Sequence, residues 1–564
     1  MQSLLQHARA NAISRLQRDP ARRLLYLQAA MADIPRLLGA IDRNPYRPTY
    51  GCLDRQYWHY RTADFPSAMY QEGVLPLALV YHYALPGNRW YRHPRVGELV
   101  LAGARFTVRA CHRDGSCDDY YPFERALGAA VFALAAISRA CMLLRIDEPE
   151  LLRGLVRMAR WIASHGESGT LANHHALAAL AMVQTSRLTG LADLEQAAER
   201  RLRKVLQWQS SDGWFPEYGG ADLGYHTVTV DCLAKYRRLC EARWLDEPIQ
   251  RALSFARWFL HPDGSYAGEY GSRGTYHFYA HGMELCASAN ADAADLADGF
   301  LRALDTARHA HFDDDRLFAH RLGNLIDAYR DWSPTRPRER RSTAFRYFSK
   351  AGLLVARSPS HHTVISAARG GVFKHFTGEQ LVTDTGLIVE TSRGRVATSQ
   401  WHDLHREIEA SGLADAQSLH EGACLTVRAR LHWCRFETMT PWKLMLLRVG
   451  MCLVGRWFRT PVRRLLQRRM IAAGRPAPIR LTRTFAVLAA ENNSGEWSLR
   501  VTDLIELLSS RVMVRRMSFT SDHESAYVAA SQVYQAGVLA PWTDLDSHVA
   551  ELNAQRRVTM VREL

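Results

Sequence analysis

Three short segments of this 564-residue chain carry side chains able to do acid–base chemistry: Asn173-His174-His175, Tyr225-His226 and Tyr276-His277, with His281 one helical turn further on. Asn173 and Tyr225 stand 52 positions apart, and Tyr225 and Tyr276 stand 51 apart. An amide or a protonated imidazole can neutralise a carboxylate, which acidifies the proton on the neighbouring carbon. A tyrosine whose pKa is lowered by cationic neighbours can then take that proton and return one to the leaving oxygen. Such a set suits β-elimination at a uronic acid. Each pair also has an ordinary reading as packing against Trp or capping a helix, and Asn173 alone reads equally as an N-cap. Their common repeat phase, which puts all three on one rim, favours function. The carboxylates Glu217 and Glu269, with Asp212, Asp222 and Asp263, support a second chemistry, glycoside hydrolysis by paired acids. Glu217 and Glu269 also sit beside Gly at equivalent repeat points, where turn architecture explains them as well.

The elements that must position these groups are helical. Runs such as ERALGAAVFALAAISRACMLLRI and ELLRGLVRMARWIASHG carry apolar residues at three- and four-residue spacing. Asp212-Gly213-Trp214-Phe215 returns as Asp263-Gly264-Ser265-Tyr266, Glu217-Tyr218-Gly219 as Glu269-Tyr270-Gly271, and Asp114-Gly115-Ser116 is a fainter echo. A period near 50 accommodates two helices with their connections, and such hairpins stack or close into a toroid. SPTRPRERRS, from Ser333, reads as a linker. Beyond it AGLLVARS, HTVISAARGG and LTVRARLHWCRFETM are strand-like. The expected architecture is α+β multidomain: an (α/α) toroid (an incomplete barrel of helical hairpins) over 1–332, a linker at 333–343, and an antiparallel β-sandwich over 344–564. A basic helical insertion falls near 441–470, and the active site is expected in the cleft between the domains.

A helical toroid, an Asn-His on a helix, a DG…E…YH run after it and a C-terminal β-domain together resemble the heparinase II/III-like polysaccharide lyases, alginate lyases included. Asp118 to Phe132, DDYYPFERALGAAVF, is similar to that family's aromatic-acid-Arg helix at the cleft. The resemblance implies that Asn173 neutralises the substrate carboxylate with His174 beside it, and that Tyr225 is base and acid with His226 as neighbour. It also implies a further histidine from the β-domain, for which His375 in GGVFKHFTGEQLVTDTG is the candidate, although the family's His-x-His signature is not evident there. Tyr121, Glu124, Arg125, Trp214, Glu217, Arg273, Tyr276, His277 and His281 are the expected substrate contacts. Arg273 suits a second sugar carboxylate. The activity implied is eliminative cleavage of an acidic polysaccharide such as an exopolysaccharide, alginate or a glycosaminoglycan-like chain. A glycoside hydrolase on the same scaffold, and a non-catalytic glycan-binding or exopolysaccharide assembly factor, are the alternatives.

Charge fits a polyanionic partner: the net charge is +15. No nucleic-acid motif accompanies it. Residues 441–470, PWKLMLLRVGMCLVGRWFRTPVRRLLQRRM, hold eight Lys/Arg and no acid among Trp and Leu residues. They suit contact with an anionic membrane surface, gathering of an acidic polymer, or simple packing of an apolar face on the β-domain. No catalytic metal or cofactor is expected. His402 and His405 in WHDLH lack a clear third and fourth ligand, and a structural metal in the β-domain stays open. The ten scattered cysteines, without any CxxC, suggest buried thiols in a reducing compartment. The first twenty residues read as an amphipathic Arg-bearing helix without the apolar core of a secretory signal. The expected location is the cytoplasm, near the inner membrane, or the periplasm if the true start differs.

Overall fold

The computed structural model describes residues 14–167, 169–311, 315–338, 344–378, 380–403, 407–411, 423–434, 436, 438–455, 457–458, 461–462, 475–489, 497–522 and 533–564. The first 338 residues fold chiefly into twelve helices. They are α1 (Leu24–Ala40), α2 (Val74–His82), α3 (Pro94–Ala110), α4 (Leu127–Leu144), α5 (Pro149–Ser164) and α6 (Ala172–Thr189), then α7 (Ala192–Gln207), α8 (Leu223–Cys240), α9 (Asp246–Ala256), α10 (Ala280–Ala287), α11 (Ala291–Asp305) and α12 (Asp315–Asp331). Even-numbered helices form an inner ring in which each touches the next, and α12 packs back on α2. The ring therefore closes on itself, the toroid of helical hairpins that the pattern suggested.

Patterning explains the two layers. Outer helix α5 buries Leu151, Leu155, Met158 and Ile162, one stripe at four- and three-residue spacing. Inner helices α4 and α6 are buried nearly all round, because they face neighbours on both sides and an outer helix behind. The repeated Asp-Gly turns fasten the layers together. Gly115, Gly213 and Gly264 all have positive φ, and a Cβ on each would lie within 2.2–2.5 Å of the backbone oxygen of Arg157, Arg251 or Gly299 on the next outer helix. Gly51 does the same against Ala102 at 2.3 Å, a fourth copy hidden by the absence of an Asp-Gly pair. Only glycine has both the backbone freedom and the missing methyl this approach needs.

The linker expectation is revised. Thr335–Arg338 pairs antiparallel with Ser14–Gln17, and Arg336, wholly buried, binds Glu284 on α10 at 2.6 Å. The stretch is stitched onto the toroid by the Arg336 guanidinium. Ser14–Gln17 is accordingly strand where an N-terminal helix was expected, while residues 1–13 lie outside the described ones.

The C-terminal part has two antiparallel sheets. The near sheet is a meander of β1 (Ala344–Phe348), β2 (Leu353–Arg357), β3 (His361–Ser366), β4 (Val372–Thr377) and β5 (Gln380–Asp384). The far sheet contains β6 (Leu387–Thr391), β7 (Val396–Thr398), β8 (Glu407–Ser411), β9 (Cys424–Trp433), β10 (Pro476–Ala489), β11 (Trp497–Leu507), β12 (Val514–Phe519), β13 (Thr543–Asp544) and β14 (Arg557–Glu563). Its order is β13-β12-β6-β7-β9-β10-β11-β14, with β8 on β9. One face of the near sheet joins the toroid core through Phe348, Leu353, Val355, Val364 and Val372, and the other packs Phe345, Leu354, Ile365 and Phe373 on the far sheet. Period-two alternation thus glues one sheet to two partners. The rim of the toroid at the repeat turns lies under this sheet.

Candidate active site

Asn173 is the second residue of α6, whose N-cap is Leu171, so the capping explanation for it fails. Leu171 makes a β-bridge to Glu217, in a small hairpin that pairs Pro216–Glu217 with Gly220–Ala221. Tyr218 and Gly219, both at positive φ, turn its tip. The hairpin runs directly into α8, capped by Asp222. That carboxylate accepts from the Tyr225 amide (3.1 Å), the Arg273 and Thr275 amides (2.9 and 3.4 Å) and the Thr275 hydroxyl. One buried acid therefore fixes α8 and the loop of the following repeat relative to each other. Gly224 allows the contact: a Cβ there would meet the Thr275 hydroxyl oxygen at 2.3 Å.

This frame brings Asn173, Glu217, Tyr225, Arg273 and His277 together. Burial, with Asp222 and Glu167 nearby, raises the Glu217 carboxyl well above its usual range, against the pull of Arg273 and of the neighbouring Asn173 amide. Glu217 thus favours its neutral acid form. The Tyr225 ring lies tilted against the His277 ring, with centroids 5.3 Å apart. Its hydroxyl pKa is pushed well above 10, first by burial and then by Glu217 and Asp222. The cationic depression expected for it is absent because carboxyls, not cations, dominate its surroundings. His277 is pushed down to about 3 by burial and by His320 and Arg321, so its ring is neutral. The Arg273 guanidinium lies 4.4 Å above the Tyr218 ring. The rim is a set of neutral donors around one guanidinium.

His174 pairs through Nδ1 with Glu167 at 3.1 Å and meets the edge of Phe132. Across Phe132 stands His320, held to buried Glu72 at 2.7 Å. These two imidazole–carboxylate pairs on either side of one ring were not foreseen, since α12 and the Glu72 turn carry no repeat signal.

Several candidates lie elsewhere. His226 follows Tyr225 by about 100° around the helix. It faces the core, bonded to the Ala252 carbonyl at 3.0 Å between Phe215 and Phe255, and its pKa falls to about 4 through burial. His375 is corrected likewise. Strand alternation sends Lys374 toward the toroid and His375 toward the far sheet, where Thr363 and Thr377 bind its two nitrogens and Trp497 packs on it. Tyr276 donates to Glu269 at 2.9 Å, and Lys374 binds the same carboxylate at 3.2 Å, so that pair serves the domain junction. His281 is paired with Asp331 at 2.7 Å at the far end of the ring. Arg125 turns away to Asp114 (2.5 Å), and Glu124 accepts the Asp119 and Tyr120 amides, shaping the loop that presents Tyr120. Tyr121 and Trp214 are buried in packing.

The β-domain does contribute a histidine to the rim, and it is His402. A Cβ on Gly220 would touch both His402 Cε1 and Nε2 at 2.6 Å, so the imidazole lies on the hairpin that carries Glu217. Sequence spacing had marked His402 only as a metal ligand with His405, which lies outside the described residues. Among the described residues no three His, Cys, Asp or Glu side chains converge as a metal site would require.

No family model matches the chain, and no curated protein matches its sequence. Similar solved structures include the Streptomyces coelicolor A3 chondroitin AC lyase in complex with chondroitin sulphate (12% identity, TM-score 0.49, covering 89% of this chain and 68% of that one). Heparinase III is similar at 10% identity and TM-score 0.42, over 95% and 87%. The cellobiose 2-epimerase from Spirochaeta thermophila DSM 6192 is similar at 13% and 0.39, over 55% and 97%. These likenesses assign no chemistry, and the toroid and β-domain stand on this chain's own helices and sheets. The choice of chemistry falls to the residues of the rim.

Proposed function

We propose that the chain cleaves a uronate-containing acidic polysaccharide by β-elimination, leaving a 4,5-unsaturated sugar at the new non-reducing end. The observation that carries the reading is the convergence of Asn173, Glu217, Arg273 and Tyr225 on one rim that His402 closes from the β-domain. The substrate carboxylate takes the Arg273 guanidinium, the Asn173 amide and the neutral Glu217 acid as donors, which acidifies the C5 proton. Tyr225, holding its proton, begins as the acid rather than the base. His402 removes the C5 proton, the C4–O bond breaks as the C4–C5 double bond forms, and the leaving oxygen takes the Tyr225 proton. The net positive charge speeds capture of a polyanion.

Glycoside hydrolysis is the second reading, because a buried Glu217 that keeps its proton is also what a general acid needs. Its weakness is the partner carboxylate: Asp222 is spent on α8 and the 273–275 loop, and Glu167 is paired with His174. The test is incubation with a panel of acidic polysaccharides while following the near-ultraviolet absorbance of the unsaturated uronate. New reducing ends without that absorbance would select the hydrolase. Binding without cleavage would select a glycan-binding or assembly role.

A further inference from the structure

Helix α13 (Pro441–Gly450), continued by a π-helical turn Met451–Gly455, has no buried residue along its α-helical length. It does not lay its apolar side on the β-domain, as simple packing would require. Trp442, Met445, Leu446 and Val449 occupy one face at i, i+3, i+4 and i+7 spacing. Trp442 and Leu446 are 72% and 74% exposed, and Leu453 and Trp457 beyond them 64% and 65%. Among the described residues, 10 of the 21 exposed large apolar side chains fall between Phe436 and Phe458. A surface of this kind is not left to water without a partner.

The partner's chemistry is legible from the composition of the segment that carries the face. Residues 441–470 carry eight Lys/Arg and no acid. Aliphatic side chains have little to offer a sugar polymer, whereas a basic amphipathic segment with tryptophans matches the headgroup zone of an anionic bilayer. The helix is fastened by its last turn: Arg448 ion-pairs with Asp64, lies over the Phe65 ring at 5.4 Å, and lines a surface pocket of about 440 Å³ with Asp119 and Tyr120. Tyr120 is also among the electrostatic neighbours of Tyr225. We propose that α13 and the turn after it dock in the interface of an anionic phospholipid membrane, holding the mouth of the rim at the bilayer surface.

Co-sedimentation of the full chain with vesicles tests this independently of any activity. Phosphatidylcholine vesicles containing phosphatidylglycerol should retain the protein, pure phosphatidylcholine vesicles should retain much less, and raised salt should weaken retention. The double variant Leu446→Glu/Val449→Glu should lower binding to the anionic vesicles by about tenfold or more, with unchanged melting because neither side chain is buried. Equal binding by the variant would overturn the proposal, as would failure of the parent chain to bind anionic vesicles. So would a dimer that the double variant dissociates in a chain that ignores vesicles, which would assign the face to a second copy. Retention by an acidic polysaccharide, sensitive to the charge but not to the apolar change, would overturn it too.

Discussion

The turn around Tyr225 and its copy around Tyr276 begin as the same structure and end in opposite roles. Both open on an Asp-Gly turn pressed against an outer helix, and both place a Glu and then a Tyr-His on the rim. In the first copy α8 starts before the pair, so Tyr225 faces the cleft and His226 the core. In the second, α10 starts only at Ala280, and the pair lies in the loop before it. There His277 faces Tyr225 while Tyr276 reaches toward the β-domain. The β-domain completes the difference. Arg369 binds the Gly271 carbonyl at 2.9 Å and Lys374 binds Glu269, so the second Glu is neutralised by a fixed cation. Glu217 has no such lysine and is left with an amide, a guanidinium and its own proton. Repetition supplies the frame, and what docks on each copy decides whether it supports or reacts.

The sharpest way to break that contrast is to remove the two hydroxyls separately. Tyr225→Phe should cut turnover by about 10²–10⁴-fold with the fold intact. Tyr276→Phe should leave turnover nearly unchanged and cost about 1–3 kcal/mol, because a buried carboxylate loses a donor. Steady-state rates beside urea unfolding measure both; the reverse assignment of activity loss would make the second copy the reactive one. Lys374→Met comes next. It leaves Glu269 buried without its cation and should destabilise the chain by about 3–5 kcal/mol in urea unfolding. The shared frame is tested by Gly213→Ala and Gly264→Ala. Each puts a methyl into a backbone carbonyl at a positive φ, and each should cost a similar amount, about 1–3 kcal/mol. A large difference between these two melting shifts would show that the turns are not equivalent even as architecture.

The frame was legible because it is local. An Asp-Gly pair followed by helical periodicity recurs at Gly115, Gly213 and Gly264, and Gly51, without its Asp, escaped. The order of a helical toroid followed by a β-region is legible equally from the change in periodicity. Side-chain direction was harder to read. Tyr225-His226 and Lys374-His375 look like paired polar signals in the sequence, but adjacent residues on a helix or a strand point to different surroundings. One member of each pair is therefore lost to the core or to the far sheet. His402 was not legible as a rim residue because its place depends on how two domains dock, for which WHDLH carries no local signal. The depressed tyrosine pKa failed for a similar reason: the basic excess of the whole chain says nothing about Tyr225, where burial and the Glu217 and Asp222 carboxyls push the hydroxyl up.

The smallest expected effect probes the electrostatic half of the comparison. Burial raises the Glu217 pKa above its unfolded value, so the folded state holds a proton that the unfolded chain gives up near pH 4.3. That contribution to stability is fully present below the unfolded pKa and is lost as pH rises toward the folded one. Glu217→Gln keeps the neutral shape and removes the titration. Its stability should match the parent near pH 4 and exceed it increasingly at higher pH, the gap widening by at most about 1.4 kcal/mol per pH unit until the folded carboxyl ionises. Glu269→Gln should behave oppositely at neutral pH, because it discards the charge that Lys374 pairs with and leaves an ammonium buried. Urea unfolding of both variants and the parent at pH 4.5 and pH 8 separates the cases. Two variants that respond alike would mean that the Lys374 ion pair does not distinguish the two glutamates, and the distinction between the copies would then rest on the direction of Tyr225 alone.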